Sequence, residues 1–223
     1  MIPFEKCDID AKARTIRFSV DSVKHGANVR YEGEQIGRGE VIVQTGTLLR
    51  PQHLALLAAA GISEVTVHSR LRVALLTTGS ELAEPGQPLG RYQTYNSNGV
   101  MLETMLKSMN CSVEAVSMQD NADIIAQKIS ELLTRNDMLI LTGGAGNGKF
   151  DISQTQLNAM GSMHPWSINM RPGRPMRFGQ IQGKPVFVLP GNPVAAFVTF
   201  LEFVRGALLQ MQGLKKDLWL KQY

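Results

Sequence analysis

The rhythm of hydrophobic and polar positions changes at Arg72. Upstream, "TIRFSV" (15–20) and "EVIVQTG" (40–46) are short alternating or apolar runs separated by "HGANVRYEGEQIGRG". They predict strands joined by turns. "RPQHLALLAAAGI" predicts a short helix, with Pro51 in its first turn and Gly61 closing its last. "SEVTVHS" (63–69) predicts another strand. From Arg72 onward, apolar strands alternate with amphipathic helices. "RVALLTTG" is a buried-type strand, and "NSNGVMLETMLKSMN" is a helix that Asn96, Ser97 or Asn98 could cap. "CSVEAVSMQD", "NADIIAQKISELLTRN" and "DMLILTGG" continue as strand, helix and strand. "DISQTQLNAMG" starts a helix, "KPVFVLPG" is the last strand, and "NPVAAFVTFLEFVRGALLQMQG" is a long apolar helix.

Strands alternating with helices of this length predict an α/β fold, a mainly parallel sheet covered on both faces, preceded by a small β-rich segment. The division that follows is 1–70 for the N-terminal segment, 71–213 for the α/β domain and 214–223 for a tail. Ligands of open parallel sheets bind beyond the carboxyl ends of the strands. Four such ends carry polar chemistry: "TTGSEL", "MQDN", "TGGAGNGKFD" and "LPGNP". Chain topology alone would gather them.

Composition narrows the class. The 223 residues carry a net charge of +4, with no long basic run and no aromatic-rich motif. That balance suits anionic small molecules better than nucleic acid. No apolar stretch reads as the roughly 18 residues of a membrane span. "MIPFEKCDID" lacks the pattern of a signal peptide. A cytoplasmic location is therefore expected. Cys7 and Cys111, and the four scattered histidines, match no metal-ligand spacing.

The glycine loop carries the strongest local signal. Gly143, Gly144, Gly146 and Gly148 follow an apolar strand and precede Asp151. Such a loop presents backbone N–H groups to an anion, and the following helix adds its N-terminal dipole. It is not a Walker A loop, since Phe150 stands after Lys149 where Ser or Thr is required. "LPGNP", Pro190 to Pro193 with Gly191 and Asn192 between them, repeats the device. One such loop alone is equally a strand-to-helix turn; two at equivalent strand ends point to phosphate. In "MRPGRPMRFG", Arg171 and Arg174 could hold oxyanions in forked geometry. Glu81, Asp120 and Asp151 are hard oxygen donors near the same ends and suggest Mg²⁺, although each would also serve as a cap or turn residue.

"RVALLTTGSEL…PGQPLGRYQTYNSNGVML", "DMLILTGGAGNGKFD", "MRPGRPMRFG" and "GKPVFVLPGNPVAAFVTFLEFVRGALL" together resemble the molybdopterin molybdenumtransferase family, of MoeA and gephyrin E-domain type. The upstream segment from "VKHGANVRYEGEQIGRG" also matches, so the resemblance covers nearly the whole chain. It begins inside the family's N-terminal region and stops ahead of its C-terminal β-barrel. The resemblance implies a three-layer α/β/α molybdopterin-binding domain, similar to MogA. It implies a reaction in which adenylated molybdopterin and molybdate, with Mg²⁺, give molybdenum cofactor and AMP. Glu81, Asp120 and Asp151 are implied as catalytic and metal-binding acids. Thr78, Gly79, Ser80, Asn98, the loop glycines, Arg171, Arg174 and residues Pro190 to Pro193 are implied as the pterin site. A homodimer, and contacts with other molybdenum cofactor synthesis proteins, are also implied.

The chain departs from the family pattern at Gln35 and Ser80, which replace aspartates, and at Ser167, where lysine is common. The loop reads "GGAGNG" where "GGVSVG" is usual. These changes favour a binding or scaffold role as the alternative to turnover. A MogA-type adenylyltransferase or CinA-type nucleotide hydrolase shares "TTG", "NS", a "DN" loop and "TGG-G", but "MRPGRP" and the long upstream segment argue against both.

Overall fold

The structure is a computed structural model and describes residues 2–19, 24–143, 154–167 and 169–214. Two compact units divide at Val65 and Thr66. In the first, β1 (Asp8–Asp10) and β2 (Thr15–Arg17) pair antiparallel, and α1 spans Pro51–Ala59. Pro51 opens α1 as expected. Gly61, at φ +77°, lets the Ile62 N–H turn back to the Leu57 carbonyl at 3.0 Å and end it. The strands expected at 40–46 and 63–69 do not form. Among the described residues neither segment pairs with a strand, and alternation without a ladder partner leaves Val41 (73% exposed) and Val67 (64%) in solvent.

The second unit is built on a six-stranded sheet. Its strands are β3 (Arg72–Thr78), β6 (Ser112–Met118), β7 (Met138–Thr142), β8 (Gly161–Ser167), β9 (Pro175–Ile181) and β10 (Lys184–Leu189), in the order β6-β3-β7-β10-β9-β8. The first four in that order run parallel; β9 and β8 close one side antiparallel. A small parallel pair, β4 (Leu82–Ala83) with β5 (Thr94–Tyr95), follows β3. The helices are α2 (Ser97–Ser108), α3 (Ala122–Arg135), α4 (Gln154–Met160), α5 (Pro193–Thr199) and α6 (Arg205–Met211), the last two joined through a π-helical turn at Phe200–Val204.

Side-chain alternation splits the core into two layers. Val73 and Leu75 point to one face with Leu102 and Leu106 of α2 and with Phe200, Val204 and Leu208. Ala74 and Leu76 point to the other with Ile125, Ile129 and Leu132 of α3 and Leu157 of α4. The three-layer α/β/α arrangement is therefore as the pattern predicts. Strands β8 and β9, "GSMHPWS" and "PMRFGQI", have no counterpart among the elements predicted from the pattern. In the sheet, β9 and β8 pack closely at Gly179: a Cβ there would lie 2.1 Å from the Ser162 carbonyl oxygen. The glycine marks a close approach, not a turn.

The stretch Pro193–Met211 is 19 residues of mean hydropathy 1.5, long and apolar enough to cross a membrane by length and composition, which corrects the sequence expectation. Ala195, Ala196, Thr199, Phe200, Val204 and Leu208 bury one face of it. That spacing is the stripe of a helix lying on a sheet.

Charged pairs pin the amino ends of the central strands. Asp137 accepts from the Arg72 backbone N–H at 2.9 Å and from its guanidinium at 2.8 Å. Glu114 accepts from Arg135 and, at 2.7 Å, from Asn136. The Arg72 hydrogen bond holds the Asp137 carboxyl below its ordinary range, and Arg135 does the same for Glu114. A carboxylate whose pKa is lower folded than unfolded adds stability above its unfolded pKa and loses it as pH falls through the folded value. The melting temperature is therefore expected to be flat above about pH 5 and to drop in more acid solution. Asp137→Asn should lower the plateau by a few degrees at most, since the pair is partly exposed, and make the acid decline shallower. Thermal melts from pH 3 to pH 8 check this; an unchanged acid slope would count against it.

Candidate functional site

The connections from β3 decide where a ligand can sit. Helix α2 returns the chain from β3 to β6 on one face, and α3 carries it from β6 past β3 to β7 on the other. The strand order therefore reverses at the β3/β7 pair, and the crevice beyond their carboxyl ends is the favoured ligand position.

Contacts at this edge link three strand ends. Gly143, at φ +85°, ends β7 so close to β3 that a Cβ there would lie 2.0 Å from the Thr78 carbonyl oxygen. A Cβ on Gly191, just past β10, would lie 3.9 Å from the Gly143 Cα. In the first turn of α2, the Asn98 amide donates to Gly191 O at 2.8 Å and to Thr142 Oγ1 at 3.2 Å. Thr142 Oγ1 in turn donates to Pro190 O at 3.2 Å. Two buried oxygens here, Thr78 Oγ1 and Asn98 Oδ1, have no hydrogen-bond partner among the described residues.

The β3 and β6 ends are tied as well. Gly79 N–H donates to Met118 O at 3.2 Å, and Ser80 N–H donates to Asp120 Oδ2 at 3.0 Å. Asp120 N–H donates back to Ser80 Oγ at 3.4 Å. The Glu81 side chain folds toward Gly79, where a Cβ would meet Glu81 Oε1 at 2.8 Å. Thr78, Gly79, Ser80, Glu81, Asn98, Asp120, Gly143 and the 190–193 turn thus share one edge. Asn192 caps α5, its side chain accepting from Ala195 N–H at 3.1 Å, and Pro193 is the first helical residue.

Arg171 and Arg174 are exposed, with Gly173 between them buried. A side chain on Gly173 would run into Thr199 Cγ2 at 2.9 Å, so the segment is docked against α5. Gly144, Gly146, Gly148 and Asp151 lie outside the described residues, and with them the three-acid cluster as a whole. Among the described residues no group of three His, Cys, Asp or Glu could hold a metal ion.

Two buried polar residues of the edge escaped the sequence reading as site residues. Thr142 is 1% exposed and Asn96 is 5% exposed. Asn96 is the N-cap of α2, accepting from Gly99 N–H at 2.8 Å while its amide donates to Thr77 Oγ1 at 2.9 Å. Each was visible only as a polar residue beside an apolar run. A cleft of 320 Å³ opens beside Asn96 and Thr77, with Glu84, Glu103 and Ser117 among its lining. Its size falls in the range of small-molecule sites, roughly 300–1,000 Å³.

A doubly wound sheet with backbone-rich turns converging at its switch point defines a small-ligand-binding α/β protein. Comparison with known proteins places it further. Residues 74–210 match the family described as "Probable molybdopterin binding domain", and residues 1–61 match "MoeA N-terminal region (domain I and II)". The chain belongs to this MoeA-type molybdopterin-binding family. It is 35% identical over 203 residues to the molybdopterin molybdenumtransferase of Haemophilus influenzae, covering 91% of this chain and 50% of the relative. It is 33% identical over 224 residues to molybdopterin molybdenumtransferase 2 of Mycobacterium tuberculosis, covering 96% and 54%. The crystal structure of the molybdopterin biosynthesis MoeA protein of Pyrococcus horikoshii superposes with a TM-score of 0.76 at 28% identity, covering 95% of this chain and 52% of that one. The chain thus spans about half the length of the curated relatives it matches.

Proposed function

We propose that the chain acts in molybdenum cofactor biosynthesis, binding adenylated molybdopterin and inserting molybdate with release of AMP. The observation that carries this is the convergence of Thr78, Asn98, Gly143 and Gly191 at the switch point, in a family whose relatives are named molybdenumtransferases. Residues 71–213 form the pterin-binding domain in this reading. Backbone amides of the 143–148 loop and the 190–193 turn hold phosphate, and Arg171 and Arg174 hold the remaining oxyanion charge.

Glu81, Asp120 and Asp151 are the acids assigned to Mg²⁺. The described donors fit: Asp120 spends one carboxylate oxygen on Ser80, and among the described residues neither Asp120 nor Glu81 forms an ion pair. When bound, the cation would neutralise phosphate and molybdate oxygens. The protein's part is to orient both substrates. The same reading carries a cytoplasmic homodimer working beside other cofactor-synthesis proteins. Val194 and Phe197, exposed at 61% and 41% on α5, support the dimer.

A second reading, binding with little turnover, is favoured by Ser80. Its amide and hydroxyl both engage Asp120 where the family pattern has another acid, so one negative charge is missing beside Asp120. Titration of the purified chain with molybdopterin, with and without Mg²⁺ and molybdate, tests both. Pterin binding that Mg²⁺ tightens, with slow insertion, is expected. Absence of pterin binding would overturn the assignment. Insertion at the rate of a full-length family enzyme would discard the second reading.

A further inference from the structure

Strand β6 is the last strand on its side of the sheet, with no strand beyond it among the described residues. Along a strand, the backbone groups of successive residues turn to alternate sides. Ser112 N–H donates to Leu71 O, and Met118 O accepts from Gly79 N–H, so the even-numbered residues face β3. Val116 O, which accepts from Thr77 Oγ1, follows the same rule. Val113, Ala115 and Ser117 therefore turn their N–H and C=O groups outward, as an open ladder edge.

Open edges invite pairing, and proteins blunt them with Lys, Pro, bulges or a covering element. The opposite edge, β8, carries Pro165, which has no N–H to donate. Strand β6, "SVEAVSM", has no Lys, Pro or Gly, and its register with β3 runs unbroken from Ser112 to Met118. Ala115 and Ser117 are exposed and line the 320 Å³ cleft beside α2. The edge is also complementary to itself. A two-fold axis at Ala115 sets Ala115 against Ala115 of a second copy, and Val113 against Ser117. Each pair joins two outward-facing residues, so each exchanges both N–H···O bonds. Glu114, the one charge on the strand, then falls opposite Val116, and its carboxylate is already held by Arg135. An axis moved one residue back, to Glu114, would set two carboxylates against each other.

We propose that β6 pairs antiparallel with β6 of a second copy, joining two sheets into one across an axis at Ala115. Helix α5, with its exposed Val194 and Phe197, follows β10, three strands away, and takes no part. The pairing does not rest on the pterin-binding reading.

Sedimentation velocity of the whole chain over a concentration series tests it. The wild type should self-associate. Ala115→Lys and Ala115→Glu, each placing like charges across the axis, should raise the dissociation constant about tenfold or more. An equimolar mixture of the two should recover the wild-type value, because opposite charges then meet. Recovery also shows that both variants are folded. Variants that associate as the wild type does overturn this inference alone, and if Phe197→Glu dissociates the same dimer, the interface is the α5 face. Two weakened variants whose mixture gains nothing overturn it as well, since Ala115 then does not face its own copy. A wild type that stays monomeric overturns it together with the α5 dimer, while pterin binding, measured separately, is untouched.

Discussion

Gly143→Ala is expected to cost about 2–5 kcal/mol of stability, from a backbone clash added to a left-handed backbone position. The methyl group would stand 2.0 Å from the Thr78 carbonyl oxygen, and neither side of that contact is a side chain that can swing away. Relief requires β7 and β3 to part at their carboxyl ends, which is where the contacts of Thr142, Asn98 and Gly191 begin. Ligand binding should therefore be lost together with stability. Gly191→Ala is the control: its Cβ would meet only the Gly143 Cα, at an ordinary 3.9 Å. Urea unfolding of both variants decides the matter. Equal midpoints would show that the β3/β7 approach does not demand glycine.

The second large effect is on chemistry. With the function proposed above, Asp120→Asn should slow molybdenum insertion about 10²–10³-fold, the usual scale for losing one group that stabilises charge at the reacting centre. The amide keeps an oxygen for the Ser80 N–H, so the β3–β6 link and the fold should survive. Pterin binding without Mg²⁺ should stay at the wild-type level, and the gain on adding Mg²⁺ should shrink. Insertion assays beside Mg²⁺ titrations separate these terms. Unchanged insertion would remove Asp120 from the metal set, and loss of binding without Mg²⁺ would make it a structural residue.

Much of this was legible in the chain itself, and for physical reasons. Strands β3, β7 and β10 are buried on both faces, so they read as nearly unbroken apolar runs. Helix α3 buries Ile125, Ile129, Leu132 and Leu133 at helical spacing between Asn121 and Asn136, so its pattern and its cap both show. Because every parallel strand leads into a loop at the same edge, the polar residues after "TTG", "MQD", "TGG" and "LPG" could be assigned to one site before any coordinates.

The sequence by itself determined which residues reach that edge; the tertiary structure decided which of them meet. Gly143 is one of four glycines in its loop, and only its distance from Thr78 makes it a close-packing position. Asn98 read as one of three candidate caps, yet Asn96 takes that role and Asn98 instead joins Gly191, 93 residues away in the chain. The breaker-rich strands β8 and β9 became visible only where they pair with each other and with β10. Local patterns record whether a residue faces the core. Strand order, register and the meeting of loops depend on pairings between distant segments, which leave no periodic trace in the chain.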